Sequence, residues 1–123
     1  MVEKRDVDPR RQHGAEAESI ACSLLTQQGY RIVERNFRCR AGELDIVAVD
    51  GDVLVFVEVR SRATGRFGGA TVGRSKQQQV SRVAAIYLAL RKPVARRMRF
   101  DVVTVTAGAA NLIRDAWRLG DLH

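Results

Sequence analysis

The sequence predicts an α/β fold, a mixed central sheet with helices on both faces, on three observations. Two segments carry apolar residues at helical spacing, and four carry β-branched and apolar residues over strand-sized runs. Their order along the chain is α-β-β-β-α-β. An Asp-Gly pair joins two of the strands as a tight hairpin, whereas a helix separates the last two. A meander followed by a crossover helix and another strand gives a sheet with both antiparallel and parallel pairs.

Residues 1–12 are polar and charged and read as an N-terminal arm, leaving 13–123 as a single domain. The first helix shows Ala17, Ile20, Ala21, Leu24 and Leu25 as one stripe, and Gly29 ends it. Residues 30–37 read as a strand, 38–42 as a turn, and 43–49 and 53–60 as two strands around Asp50-Gly51. Residues 61–73 hold four glycines and should form a loop. The second helix, about 74–90, has the stripe Val80, Val83, Ala84 and Tyr87, with Pro93 just beyond it. A strand follows at 98–105. The remainder, with Trp117, fits a short edge strand and a tail.

Composition narrows the function classes. No apolar run approaches the ~18 residues that span a bilayer, and the charged start MVEKRDVDPR lacks the apolar core of a signal peptide. The expectation is a cytoplasmic protein with no membrane partner. Cys22 and Cys39 lack metal-site or disulfide spacing, and His13 and His123 lie far from them, so both cysteines read as reduced thiols. The net charge is +7, and among the 21 basic residues only Lys4, Lys76 and Lys92 are lysine. Arginine binds phosphate in a bidentate manner, which suits a nucleic acid, although genome base composition also favours arginine over lysine.

The hairpin places acids together. With Asp50-Gly51 as a two-residue loop, Asp45 lies opposite Phe56 and Glu43 opposite Glu58. Asp45, Glu58 and Arg60 then project from one face, shared with Val47, Leu54 and Phe56. Two carboxylates at that reach can share a divalent cation such as Mg²⁺ or Mn²⁺. A salt-bridge cluster with Arg60 and neighbouring arginines explains the same residues without an ion. Glu18 sits at the border of the first helix's stripe, within reach of the sheet or simply solvated. Lys76 and Gln77 open the second helix on the side of Val80 and Tyr87, where an ammonium and an amide at a helix N-terminus suit phosphate.

The blocks Ala17-Glu18, Gly29-Tyr30-Arg31-Ile32, Asn36-Phe37-Arg38-Cys39-Arg40 and Gly42-Glu43-Leu44-Asp45-Ile46-Val47-Ala48 resemble the YraN-type bacterial family UPF0102. The likeness continues through Phe56-Val57-Glu58-Val59-Arg60, Lys76-Gln77 and Arg99-Phe100-Asp101-Val102-Val103, covering about residues 14–105. That family resembles the Holliday-junction resolvases of the restriction-endonuclease-like PD-(D/E)XK superfamily, whose αβββαβ core has the element order read above. The resemblance implies a metal-dependent endonuclease acting on DNA, branched DNA in repair or recombination included. It further implies that two copies act as a homodimer.

Carried over residue by residue, Glu18 matches the helix acid, Asp45 the motif aspartate, Glu58 the acid of the E-x-K element and Gln77 a polar position of the second helix. Asp45, Glu58 and the Val59 carbonyl are the implied metal ligands. The motif lysine is Arg60 here, which grips a phosphate but cannot act as a base, and the glycine before the helix acid is Ala17. Arg38, Arg40, Arg62, Arg66, Arg74, Lys76 and Arg82 are the expected nucleic-acid contacts. Three readings stay open: an endonuclease, a catalytically inactive nucleic-acid-binding module of the same fold, and a protein-interaction domain using the Arg91, Lys92, Arg96 and Arg97 cluster.

Overall fold

The structure, a computed structural model, describes residues 9–62, 72–95, 97–107 and 109–118. Its elements are α1 (Pro9–Gln27), β1 (Arg31–Cys39), β2 (Gly42–Asp50), β3 (Val53–Arg62), α2 (Arg74–Arg91), β4 (Arg97–Thr106) and β5 (Ala109–Trp117). The helix thus starts at Pro9, inside the stretch read as an arm. Residues 9–16 carry no apolar stripe that would have announced it. The C-terminal edge strand is nine residues long rather than short.

The strands form one sheet in the order β1-β2-β3-β4-β5. β3 and β4 are parallel and the other pairs antiparallel, because only the β3–β4 connection passes through a helix. The two stripes read in the sequence become the two cores. On one face Ala17, Ala21 and Leu25 of α1 pack on Ile46, Ala48, Val55, Val57, Val103 and Val105. On the other, Val80, Val83, Ala84 and Tyr87 of α2 pack on Phe37, Val47, Leu54, Phe56 and Phe100. Tyr87 meets Phe37 and Phe56 edge-on, with centroids 5.1 and 5.7 Å away, a favoured aromatic geometry.

The β2–β3 register differs from the sequence reading. The loop is Gly51-Asp52, with Asp50 paired to Val53 and Ile46 to Val57. Gly51 takes the left-handed φ of 65° that the turn requires. Asp50 is kept in the strand by Arg99, whose Nη2 donates to its carboxylate at 2.7 Å. Moving the loop by one residue changes the pairing by two, so the faces of β3 survive but the partners do not. In this register Asp45 comes beside Glu58, and Glu43 pairs with Arg38 instead.

Candidate metal centre

β2 and β3 are paired only between Asp50↔Val53 and Ile46↔Val57, while β3 runs on to Arg62 beside β4. The two strands part at Asp45 and Glu58. There the ladder is replaced by a side chain: the Val59 N–H donates to Asp45 Oδ2 at 2.8 Å. A strand end that parts from its neighbour is where carboxylates can stand close without a backbone pair between them.

Strand alternation also breaks at this point. Glu43 lines a cleft with residues of α1, Leu44 belongs to the α2-side core, and Ile46 and Val47 belong to the α1-side and α2-side cores. Asp45, between them, joins the α1 side, where single carboxylate oxygens of Glu18, Glu43 and Asp45 lie within 4.8 Å of one another. Glu58 stays on the α2 side of the parting strands, hydrogen-bonded to Asp45 and ion-paired to Lys76 Nζ at 3.6 Å. Asp45 therefore links acids from both faces, a placement that regular alternation does not provide. The cleft beside them has a volume of about 530 Å³ and is lined by Gly14, Ala15, Glu18, Asn36, Arg38 and Glu43.

The electrostatics follow from the crowding. Burial, then the charge of Glu58, pushes the Asp45 carboxyl up to about 8, with Glu18 and Glu43 adding to the effect and the Val59 N–H opposing it. Burial also raises Glu58, against the opposing charges of Lys76 and Arg60. A hydrogen bond between two carboxyls needs a proton on one of them, so the pair titrates as a unit. A set made wholly of carboxylate oxygens is the donor chemistry of a hard divalent cation.

The expected site residues are distributed as follows. Glu18, Asp45 and Glu58 are brought together, and Arg60 is close enough for its charge to act on Glu58. Val59 meets the cluster through its N–H. Gln77 uses its side-chain nitrogen to cap the Val72 carbonyl at 2.7 Å, holding the entry to α2. Lys76 lies at Glu58 itself rather than out on a binding surface. Arg38 bridges Glu43 at 3.3 Å at the lip of the cleft. Arg40, Arg74 and Arg82 are exposed. The Arg62 side chain and Arg66 lie outside the described residues.

Glu43 is the acid the sequence reading passed over as a site residue. Its signal was present: it stands two positions before Asp45, the spacing of same-side neighbours on a strand. It is held in place by the start of β2. Gly42 has φ 143°, and a Cβ there would stand 2.8 Å from Gln79 Nε2 of α2. Gln79 in turn donates to the Ala41 carbonyl at 3.2 Å, tying the hairpin to α2.

Comparison with known proteins assigns the chain to a family. The profile of "Uncharacterised protein family UPF0102" matches residues 17–105. A UPF0102 protein of Bordetella avium is 46% identical over 112 residues, covering 89% of this chain and 77% of that one. One from Halorhodospira halophila is 47% identical over 113 residues, covering 90% of each. Among solved structures, a repair endonuclease from Pyrococcus abyssi aligns with a TM-score of 0.36 and 17% identity, over 85% of this chain and 40% of that one. SfsA from Pyrococcus furiosus in complex with Ca²⁺ aligns at 0.39 and 17%, over 88% and 63%. On the family match and the close relatives, this chain belongs to the UPF0102 family.

Proposed function

We propose that the protein is a metal-dependent endonuclease acting on DNA, with its active centre where β2 and β3 part. The observation that carries this reading is the convergence of acids there, with Asp45 set among carboxyls alone. Glu18, Glu43, Asp45 and Glu58 converge, and the cations that meet them (Arg35 at 3.7 Å from Glu18, Arg38, Lys76 and Arg60) stand mostly at the rim. Like charges gathered in a partly buried cleft are costly without a counter-ion.

Glu18, Glu43, Asp45 and Glu58 are the residues that would hold Mg²⁺ or Mn²⁺. A bound divalent ion supplies Lewis acidity toward a phosphoryl oxygen and neutralises developing charge. The chain's own contribution is positioning. The Val59 N–H fixes the Asp45 carboxylate, and Lys76 orients Glu58. Arg60, always protonated, is suited to gripping the phosphate and not to taking a proton. Arg38 at the lip and the exposed Arg40, Arg74 and Arg82 supply the basic surface along which a phosphate backbone would run. Residues 63–71, with Arg66, lie outside the described residues and carry no part of this reading.

A second reading has one observation in its favour. Arg60 occupies the motif lysine position and Lys76 is already paired with Glu58, which suits a protein that binds DNA without cutting it. Labelled four-way-junction, flap, duplex and single-stranded DNA, each with Mg²⁺, Mn²⁺ or EDTA, separate the two. The nuclease reading expects metal-dependent products from the wild type and none from Glu58→Ala. Salt-sensitive binding with no product under any condition would leave the binding module standing, and cleavage unchanged in Glu58→Ala would remove the assignment of this centre.

A further inference from the structure

A residue opposite the acid centre has a backbone that strands do not ordinarily contain. Asn36, in the middle of β1, has φ 57°. The left-handed region is disfavoured for residues with a Cβ, and asparagine tolerates it better than most. A mid-strand residue held there persists only where its surroundings demand it.

Its position shows what the surroundings gain. The register runs Arg35↔Ile46 and Phe37↔Leu44, so Asn36 stands across from Asp45. On β1, Glu34 pairs with Arg91 of α2 and Arg35 with Glu18 of α1, whereas Asn36 lines the α1-side cleft and Phe37 enters the α2-side core. Arg35 and Asn36 are thus consecutive residues on one side. The same is true across the ladder, where Asp45 and Ile46 both belong to the α1 side. Both strands break alternation at one facing pair. With an even strand period at this facing pair, Asp45 would fall on the Val47 side of the sheet, away from Glu18 and Glu43.

We infer that Asn36 is a positioning residue for the metal centre: its left-handed backbone turns Asp45 out of the strand period and into line with Glu18 and Glu43. This rests on the endonuclease reading of that centre. It assigns to Asn36 a backbone role, with its exposed side chain dispensable.

The test is Mn²⁺ binding by calorimetry to the full chain, with thermal unfolding to confirm that each variant is folded. Asn36→Gly keeps the left-handed region open and should bind Mn²⁺ within about threefold of the wild type. Asn36→Val, whose β-branched side chain resists positive φ, should bind about tenfold more weakly or worse. If the valine variant does not fold, Asn36→Ala takes its place with the same direction expected. Wild-type affinity in the folded valine or alanine variant, with only the unfolding temperature lowered, would make Asn36 merely structural and overturn the inference. So would a glycine variant as weak as the valine one, since the side chain would then be responsible. Asp45→Asn is the control: if it binds Mn²⁺ as the wild type does, or if the wild type binds none, the reading of the centre fails and the inference with it.

Discussion

Asp45 and Asp101 are both acids set into the sheet, on the strands either side of β3, and they are treated in opposite ways. Asp101 is fully buried, yet every approach to it is a donor. Tyr30 Oη donates at 2.6 Å, Arg99 Nε at 2.9 Å and Nη2 at 3.2 Å, and the Asp115 N–H at 2.9 Å. Arg99 also reaches Asp50, and Arg114 Nε donates to the Tyr30 oxygen, so the network joins Tyr30, just before β1, to β2, β4 and β5. Asp45 receives one backbone N–H and is otherwise surrounded by carboxyls. In the hollow lined by Arg97, Arg99, Asp115 and Arg118, Arg97 is paired with Asp52, Arg99 with Asp50 and Asp101, and Arg118 with Asp115. Asp101 is electrostatically complete by itself, whereas the charges that act on Asp45 are those of other carboxyls. The first pattern holds a fold together; the second offers the all-oxygen donor set that a hard divalent cation would take.

Exchanging the two aspartates breaks the comparison most sharply. Asp45→Asn should lower DNA cleavage by at least ~100-fold, a loss expected when a metal ligand is removed, while unfolding in denaturant without metal shows no loss of stability. Asp101→Ala should do the reverse. It strands Arg99 and Tyr30 in a buried network, so stability should fall by about 3–5 kcal/mol, and whatever fraction stays folded should still cut. Similar effects of the two variants in either assay would contradict the division of roles.

The pH dependence of stability sharpens it further. The folded Asp45 carboxyl sits at about 8, above its ordinary value of 3.8. Below the ordinary value both folded and unfolded states hold the proton. As pH rises toward 8 the unfolded chain gives it up first, so this group's contribution to stability declines through that window and levels off above it. The difference between wild type and Asp45→Asn in metal-free denaturation, followed from pH 4 to 9, should show that decline. A flat difference curve would mean that Asp45 is not crowded by acids as described.

A smaller effect concerns the hairpin that carries Glu43. Gly42→Ala puts a Cβ against Gln79 at a positive φ. It should cost about 1–3 kcal/mol of stability and lower Mn²⁺ affinity only modestly, because Asp45 and Glu18 stay in place. An unchanged melting temperature would show that the hairpin does not lean on α2 there.

How much of this could be read beforehand depends on whether a feature has a period. Both helical stripes do, and Ala17, Ala21 and Leu25, like Val80, Val83, Ala84 and Tyr87, are buried. The strands were legible for the same reason, and the shift of the loop to Gly51-Asp52 left the faces of β3 unchanged because it moved the pairing by an even number. β5 was less legible: its alternation is interrupted near Asp115, at φ 55°, and it carries charge at Arg114 and Asp115 as edge strands do. The break at Asn36 and Asp45 has no period at all. Even alternation put Asp45 with Val47 and Phe56, and nothing in the strand pattern announced that it would turn toward Glu18 and Glu43. Glu18, Asp45 and Glu58 could be named from the sequence; Glu43 and the way the four meet could not, because the break in alternation at Asn36 and Asp45 follows no pattern.

The central claim, that the parting of β2 and β3 is a divalent-metal centre, is tested most directly by anomalous scattering from a crystal soaked in Mn²⁺. The account predicts a peak among the carboxylates of Glu18, Glu43, Asp45 and Glu58, with oxygen distances of about 2.0–2.3 Å. A cleft without a peak at a concentration that labels exposed acids such as Asp52 would contradict it.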